Sequence, residues 1–312
     1  MQETRRAILE ELAAGPVPGP ELADRLGVSR AAVWKHVDVL CEEGFDLPST
    51  GVGYRLDGVP EYGSAAVEFG LDAPYAVEYH DSVASTNALA RERADAGATD
   101  LVILADQQTG GRGRRDRGWA SPSGGIWMSI VLRPDRPPAR VPLLTLAAAV
   151  AVTEAVRDRG VDAAIKWPND VIVPGEGDRG GEKLCGILTE MAGEAGRVSW
   201  VVVGMGINAN LDQDDVPAGA TSLQSAVGPV DRRSLVQDVL ERFADLADRP
   251  DETLAAWRAY AATLGQHVRI ETATESFEGD AVDVTETGAL IVETGGRNRT
   301  VHAGDCEHLR PV

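Results

Sequence analysis

Lysine is nearly missing from this chain. Of its thirty basic residues only Lys35, Lys166 and Lys183 carry an ammonium, and the rest are arginine. A compact ammonium and a planar guanidinium are not interchangeable where a cation must sit close to one oxygen, so the three survivors are candidates for chemistry, with chance retention as the alternative. Cysteine is scarce too. Cys41, Cys185 and Cys306 are odd in number, far apart and without C-x-x-C spacing, a pattern that gives neither a disulfide framework nor a thiolate metal site and fits buried, reduced thiols. No basic-then-apolar leader opens the sequence, and the Ala-rich stretch from Val141 to Thr153 falls short of a bilayer span. The expectation is a cytoplasmic protein with no membrane partner.

What is abundant is acid. Forty-nine acidic residues bring the formal charge to -19, which would self-repel in dilute buffer and suits a surface kept soluble in concentrated salt, hence a halophilic cytoplasm. Such charge also argues against general nucleic-acid affinity, so any DNA contact must be local. With 312 residues, 43% of them hydrophobic, the chain can build two or three cored domains.

A local DNA-binding feature stands at the N-terminus. Thr4 to Ala14 has apolar residues at helical spacing, Glu21 to Leu26 stops at Gly27, and Ser29 caps Arg30 to Glu43. Helix, Gly turn, helix is the helix-turn-helix signature, with Ser29, Arg30, Lys35 and His36 as candidate DNA contacts; a three-helix packing module is the alternative. A Gly-pivoted hairpin, Ser49 to Leu56, would form a wing. Residues 59–72 read as a linker. Beyond it, strands at 76–80, 101–105, 126–132, 164–167, 171–173, 184–191 and 198–206 are interleaved with helices at 85–96 and 142–157 and followed by helices at 232–247 and 252–264. The tight 193–196 turn makes the sheet partly antiparallel and excludes a doubly wound dinucleotide fold. Short strands with Gly turns after residue 265 predict a small antiparallel barrel.

Three motifs carry chemistry. Gln108-Thr109-Gly110-Gly111-Arg112-Gly113-Arg114-Arg115 sets glycines that admit an anion to the backbone beside forked arginine donors. It lacks P-loop spacing, and an exposed arginine loop is the alternative. Lys166-Trp167-Pro168-Asn169-Asp170 places a cation for phosphate and a carboxylate for Mg²⁺ at a strand end, or else an ordinary turn with a surface ion pair. Lys183 opens a strand with small Cys185 and Gly186, and Gly204-Met205-Gly206-Ile207-Asn208 ends the next; together they predict a slot along two strands, although sheet curvature alone would also call for glycine.

The order and spacing of Ser85-Thr86-Asn87, the Gly-Arg loop, Lys166 to Asp170, Lys183 to Leu188 and Gly204 to Asn208 resemble the biotin protein ligase family. Residues 1–56 resemble the winged helix-turn-helix of its bifunctional repressor members. The resemblance implies an α+β chain with a winged helix-turn-helix at 1–58, a linker at 59–72, a mixed-sheet ligase domain of the biotin/lipoate type at 73–264 and a small SH3-like barrel at 265–312. It implies formation of biotinyl-5'-AMP from biotin and ATP with Mg²⁺, transfer to a lysine of a biotin carboxyl carrier protein, and a homodimer that represses an operator in response to biotin. Biotin would be met by Ser85, Thr86, Asn87, Gln108, Arg112, Gly113, Arg114, Lys183, Gly186, Gly204 and Gly206. ATP and the adenylate would be met by Arg112, Arg114, Arg115, Trp119, Lys166, Asn169 and Asn208, with Lys183, Arg112 and Arg114 catalytic and Asp170 on Mg²⁺. Asp116 stands where family members often have glycine. A ligase without DNA binding, and a biotin sensor without catalysis, are the alternative readings.

Overall fold

The structure, a computed structural model, describes residues 1–175, 180–194, 196–272 and 274–309, and of Asp116 the backbone only. The chain forms two compact units, Met1–Tyr79 and His80–Val312.

In the first unit α1 (Glu3–Ala13), α2 (Gly19–Leu26) and α3 (Arg30–Glu42) pack around Ile8, Leu9, Leu12, Leu22, Val33, Val37 and Leu40. The α2–α3 turn follows from its two end residues. Gly27 adopts φ 65° to stop α2, and the Ser29 hydroxyl accepts the Ala32 N–H at 3.2 Å to start α3. The wing is the hairpin β1 (Ser49–Thr50) and β2 (Gly53–Tyr54). Gly53 is required there: at φ 123° a Cβ would meet the Val17 carbonyl at 2.3 Å. Residues 59–72 hold a short helix, α4 (Ser64–Glu68), and give Val59, Ala65 and Phe69 to this same core.

The second unit is built on a seven-stranded sheet of order β3-β4-β5-β9-β8-β7-β6. Its strands are β3 (Ala76–Val83, crossing the unit boundary), β4 (Leu101–Gln108), β5 (Ile126–Leu132), β6 (Ala164–Lys166), β7 (Asp170–Pro174), β8 (Gly181–Glu194) and β9 (Arg197–Ile207). Helix α5 (Thr86–Asp95) makes the β3-to-β4 crossover, and Thr109 and Gly110 donate to the Val83 and Ala84 carbonyls where the two strands end side by side. That pair is therefore parallel; β4 through β6 pair antiparallel, so the sheet is mixed.

Helix α6 (Pro142–Arg157) packs against β8 and against α8 (Arg232–Ala247) and α9 (Pro250–Tyr260). The stretch Pro138–Arg157 is long and apolar enough to cross a membrane, but 72% of that window is buried in protein. A short α7 (Leu223–Val227) precedes α8. Helix α9 stops at Tyr260, short of the predicted Leu264, because Ala262 N–H turns to the Ile165 carbonyl at 2.8 Å and sets Ala261 in a parallel bridge alongside β6. The C-terminal module is a five-stranded antiparallel sheet, β13-β12-β11-β10-β14, comprising β10 (His267–Glu271), β11 (Ser276–Val284), β12 (Leu290–Thr294), β13 (Arg297–Val301) and β14 (Asp305–His308). The last strand was not expected from sequence.

Candidate active site

One cavity of about 470 Å³ in the second unit gathers most of the predicted residues: Ser85, Thr86, Asn87, Gln108, Arg112, Gly113, Arg114, Trp119, Lys166, Asn169, Asp170, Lys183, Gly186, Gly204 and Gly206 all line it. It opens over β8 and β9 and runs between the start of α5, the Gly-Arg loop, the β6–β7 turn and β14.

At one end the polar groups are fixed by partners. Ser85 caps α5, which presents Thr86 and Asn87 at its first turn. Gln108 Oε1 accepts from the Thr86 N–H (2.7 Å) and hydroxyl (3.1 Å), while its Nε2 donates to Ser121 Oγ at 2.9 Å. Buried Ser129 lies within 2.8 Å of Thr86 Oγ1 and 2.7 Å of Asn87 Oδ1, and Asn87 Nδ2 donates to Glu190 at 2.8 Å. These contacts set both amide orientations, so the donors and acceptors facing the cavity are preorganised.

The floor is glycine for steric reasons. A Cβ on Gly204 would lie 1.9 Å from Asn87 Oδ1, and one on Gly206 2.7 Å from Trp119 Nε1. The Trp119 ring thus lies directly on the two strands, with its buried N–H unpartnered among the described residues. Lys183 Nζ stands 4.8 Å from the Trp119 ring centroid and 2.7 Å from Asp170 Oδ1, so the ammonium is held between an aromatic face and a carboxylate.

The Gly-Arg loop is held by the C-terminal module. Arg114 donates to Asn169 Oδ1 (3.0 Å) and to the Gly304 carbonyl (2.7 Å), and Asp305 pairs with Arg115 at 2.9 Å and Arg117 at 2.7 Å, with Arg114 at 3.8 Å. Burial lowers the Arg114 pKa, with Asp305 and Asp170 pulling the other way. Beside them Cys306 has its thiol pushed up to about 12 by burial, and burial with nearby Lys166 holds His308 down to about 4. His308 shares a 3.0 Å hydrogen bond with Thr263, whose hydroxyl accepts the Trp167 N–H, so the module reaches the β6–β7 turn as well.

Two predicted residues stand outside the cavity lining. Asn208 is buried and donates its amide to the Thr221 carbonyl at 2.9 Å, tying the end of β9 to the following loop. Arg115, at φ 54°, turns its guanidinium to Asp305 and the Glu271 carbonyl. The Asp116 side chain lies outside the described residues. Sequence reasoning missed Ser121, Ser129, Glu190 and Asp305. The only available signals were polar Ser129 in an apolar strand and acidic Asp305 after a glycine.

In the first unit Arg30 and Lys35 are exposed on α3, Ser29 is the cap, and His36 is half-buried.

Three family models match: "Biotin/lipoate A/B protein ligase family" over residues 79–208, "Biotin protein ligase C terminal domain" over 263–309 and "HTH domain" over 4–55. The chain is 38% identical to the bifunctional ligase/repressor BirA of Bacillus subtilis, with 93% of each chain covered. It belongs to the biotin protein ligase family, in the bifunctional ligase/repressor branch. A second ligase relative, the biotin--[acetyl-CoA-carboxylase] ligase of Mycobacterium tuberculosis, is 36% identical over 72% of this chain and 86% of its own. The biotin protein ligase of Aquifex aeolicus, solved with biotin and ATP, superimposes with a TM-score of 0.63 at 25% identity, over 75% of this chain and 99% of its own.

Proposed function

We propose that this ligase joins biotin to a lysine of a carboxyl carrier protein through biotinyl-5'-AMP, and that its N-terminal unit represses transcription in response to biotin. The observation that carries the ligase reading is continuity. A single cavity leads from a fixed amide and hydroxyl cluster, across a glycine floor under Trp119, to Lys183, Asp170 and Arg114.

The ureido ring meets Thr86, Asn87 and Gln108, and the hydrocarbon chain runs past Gly204 and takes the place over Gly206 that the Trp119 ring occupies in the free chain, the ring lifting to lie over it. A biotin carboxylate oxygen attacks the α-phosphorus of ATP, the bond to the β-phosphate breaks, and pyrophosphate leaves. Lys183 leaves Asp170 to neutralise the charge gathering between carboxylate and phosphorus, while Arg112, Arg114 and Lys166 meet phosphate oxygens. Trp119 covers the mixed anhydride against water. The neutral amine of the acceptor lysine then attacks the acyl carbon, and AMP departs. Among the described residues no cluster of three or more metal-ligating side chains is present. Mg²⁺ bound mainly by phosphates and water needs only one or two carboxylates, and Asp170, whose Oδ1 is freed for it once Lys183 leaves its 2.7 Å ion pair, is the one that would hold it; the ion would supply charge neutralisation of the triphosphate.

A homodimer, a cytoplasmic location and adaptation to high salt complete the proposal, the last supported by the -19 charge. Transfer of labelled biotin to a carrier domain in the presence of ATP tests the ligase reading, and absence of both transfer and pyrophosphate release would overturn it. A non-catalytic sensor would bind biotin and do neither.

A further inference from the structure

Five large apolar side chains stand exposed among the described residues, and two of them lie in the helix-turn-helix unit: Trp34 at 61% and Val52 at 64%. Trp34 is the sole aromatic of the five. It projects from α3, the second helix of the motif, and Val52 sits at the tip of the wing. The first turn of α3 and the wing share a cleft lined by Arg30, Val33, Ser49, Gly53 and Tyr54, so the helix and the hairpin present one surface.

The core has no use for Trp34. Helix α3 buries Val33, Val37 and Leu40, while Trp34 faces outward beside Arg30, Ala31, Lys35 and Asp38, all exposed. Charge cannot do the reading from this face, where Asp38 and Glu42 balance Arg30 and Lys35. Across residues 1–56 nine acids outnumber six bases. Phosphate attraction, which provides most of the affinity of ordinary DNA-binding proteins, is therefore weak here and fades further as salt rises. An apolar contact does not fade. Among the groups that base pairs display in the major groove, the thymine C5-methyl is the apolar one, and the groove is wide enough for a helix.

We propose that Trp34 is the specificity-determining residue of this unit, its indole packing on a thymine methyl in the major groove, with Arg30 and Lys35 orienting the helix on flanking phosphates. The proposal rests on the DNA-binding reading of the unit and goes beyond it by naming the reader and the group read.

The full chain, with biotin and ATP in KCl buffer, can be used to select a site from a randomised duplex pool. Thymines of that site are then replaced one at a time by deoxyuridine, which deletes only the methyl. One replacement should weaken binding about fourfold, the worth of one buried methyl. W34A should lose about tenfold on the parent duplex and show no further loss on the uracil duplex, while W34F keeps most of the affinity. A far-ultraviolet circular-dichroism spectrum and a melting profile like the parent's report that W34A keeps its helix-turn-helix unit folded. Binding by W34A within twofold of the parent overturns the proposal, as does a uracil penalty that persists undiminished in W34A. A change in sedimentation without a change in DNA affinity would instead assign Trp34 to a contact between copies and equally overturn it. If the unsubstituted chain selects no duplex at all, the DNA-binding reading itself has failed and the proposal falls with it.

Discussion

At the scale of single residues the site depends on charges held ready. Lys183 is within ion-pair distance of Asp170 and against Trp119, and K183A removes the cation proposed to act in the transition state. Pyrophosphate release should fall roughly a hundredfold to a thousandfold with little change in melting temperature; release within a few fold of the parent would refute the assignment. His308 gives a pH signature. Its pKa falls from an ordinary 6.5 to about 4 on folding, so the unfolded chain takes up the proton first. Stability from keeping it neutral is whole above pH 6.5, drains as pH falls toward 4, and is gone below, a loss of about 3 kcal/mol at roughly 1.4 kcal/mol per pKa unit. Chemical denaturation of the parent and H308N between pH 7 and 4 should show a steeper fall for the parent. Parallel curves would mean that the ring titrates normally.

Elements show which parts of the design were legible. Three helices, the wing and most strands of both sheets follow from periodicity and glycine placement, because each is long or bounded by a clear stop. Strand β14 was invisible: Asp305-Cys306-Glu307-His308 is four residues with two acids, and only pairing with β10 makes it a strand. With it went the clasp on the Gly-Arg loop, since Asp305 meets its arginines through tertiary contact alone. Asn208 shows the same limit from another side: the sequence sets it at a strand end beside a binding motif, and only the fold shows its Nδ2 donating to the Thr221 carbonyl. The segment at 59–72 bears on truncation. Because Val59, Ala65 and Phe69 pack on the first unit's core, removing residues 1–58 strips their cover. That variant should still form adenylate, with operator binding gone, but should bind a hydrophobic dye and aggregate more readily than one lacking residues 1–72. Equal behaviour of the two would show that the segment needs no cover.

The whole molecule carries its charge as a liability that salt relieves. With -19 formal charges, raising KCl from 0.1 M to 3 M shortens the screening length from about 10 Å to below about 3 Å, and the melting temperature should climb by about 10 °C or more as self-repulsion is screened. A flat melting curve across that series would refute the inference of a salt-adapted surface. Operator binding should likewise have a shallow salt slope, and a steep one would sink the same inference. The clasp at Asp305 adds an order in time. Arg114 and its Gly304 partner are 190 residues apart, and synthesis makes the loop long before the strand that restrains it. A nascent ligase domain therefore meets biotin and ATP with its arginines unrestrained. The loop gains its anchor only when the C-terminal module has folded, so the order of synthesis separates the making of the loop from its restraint.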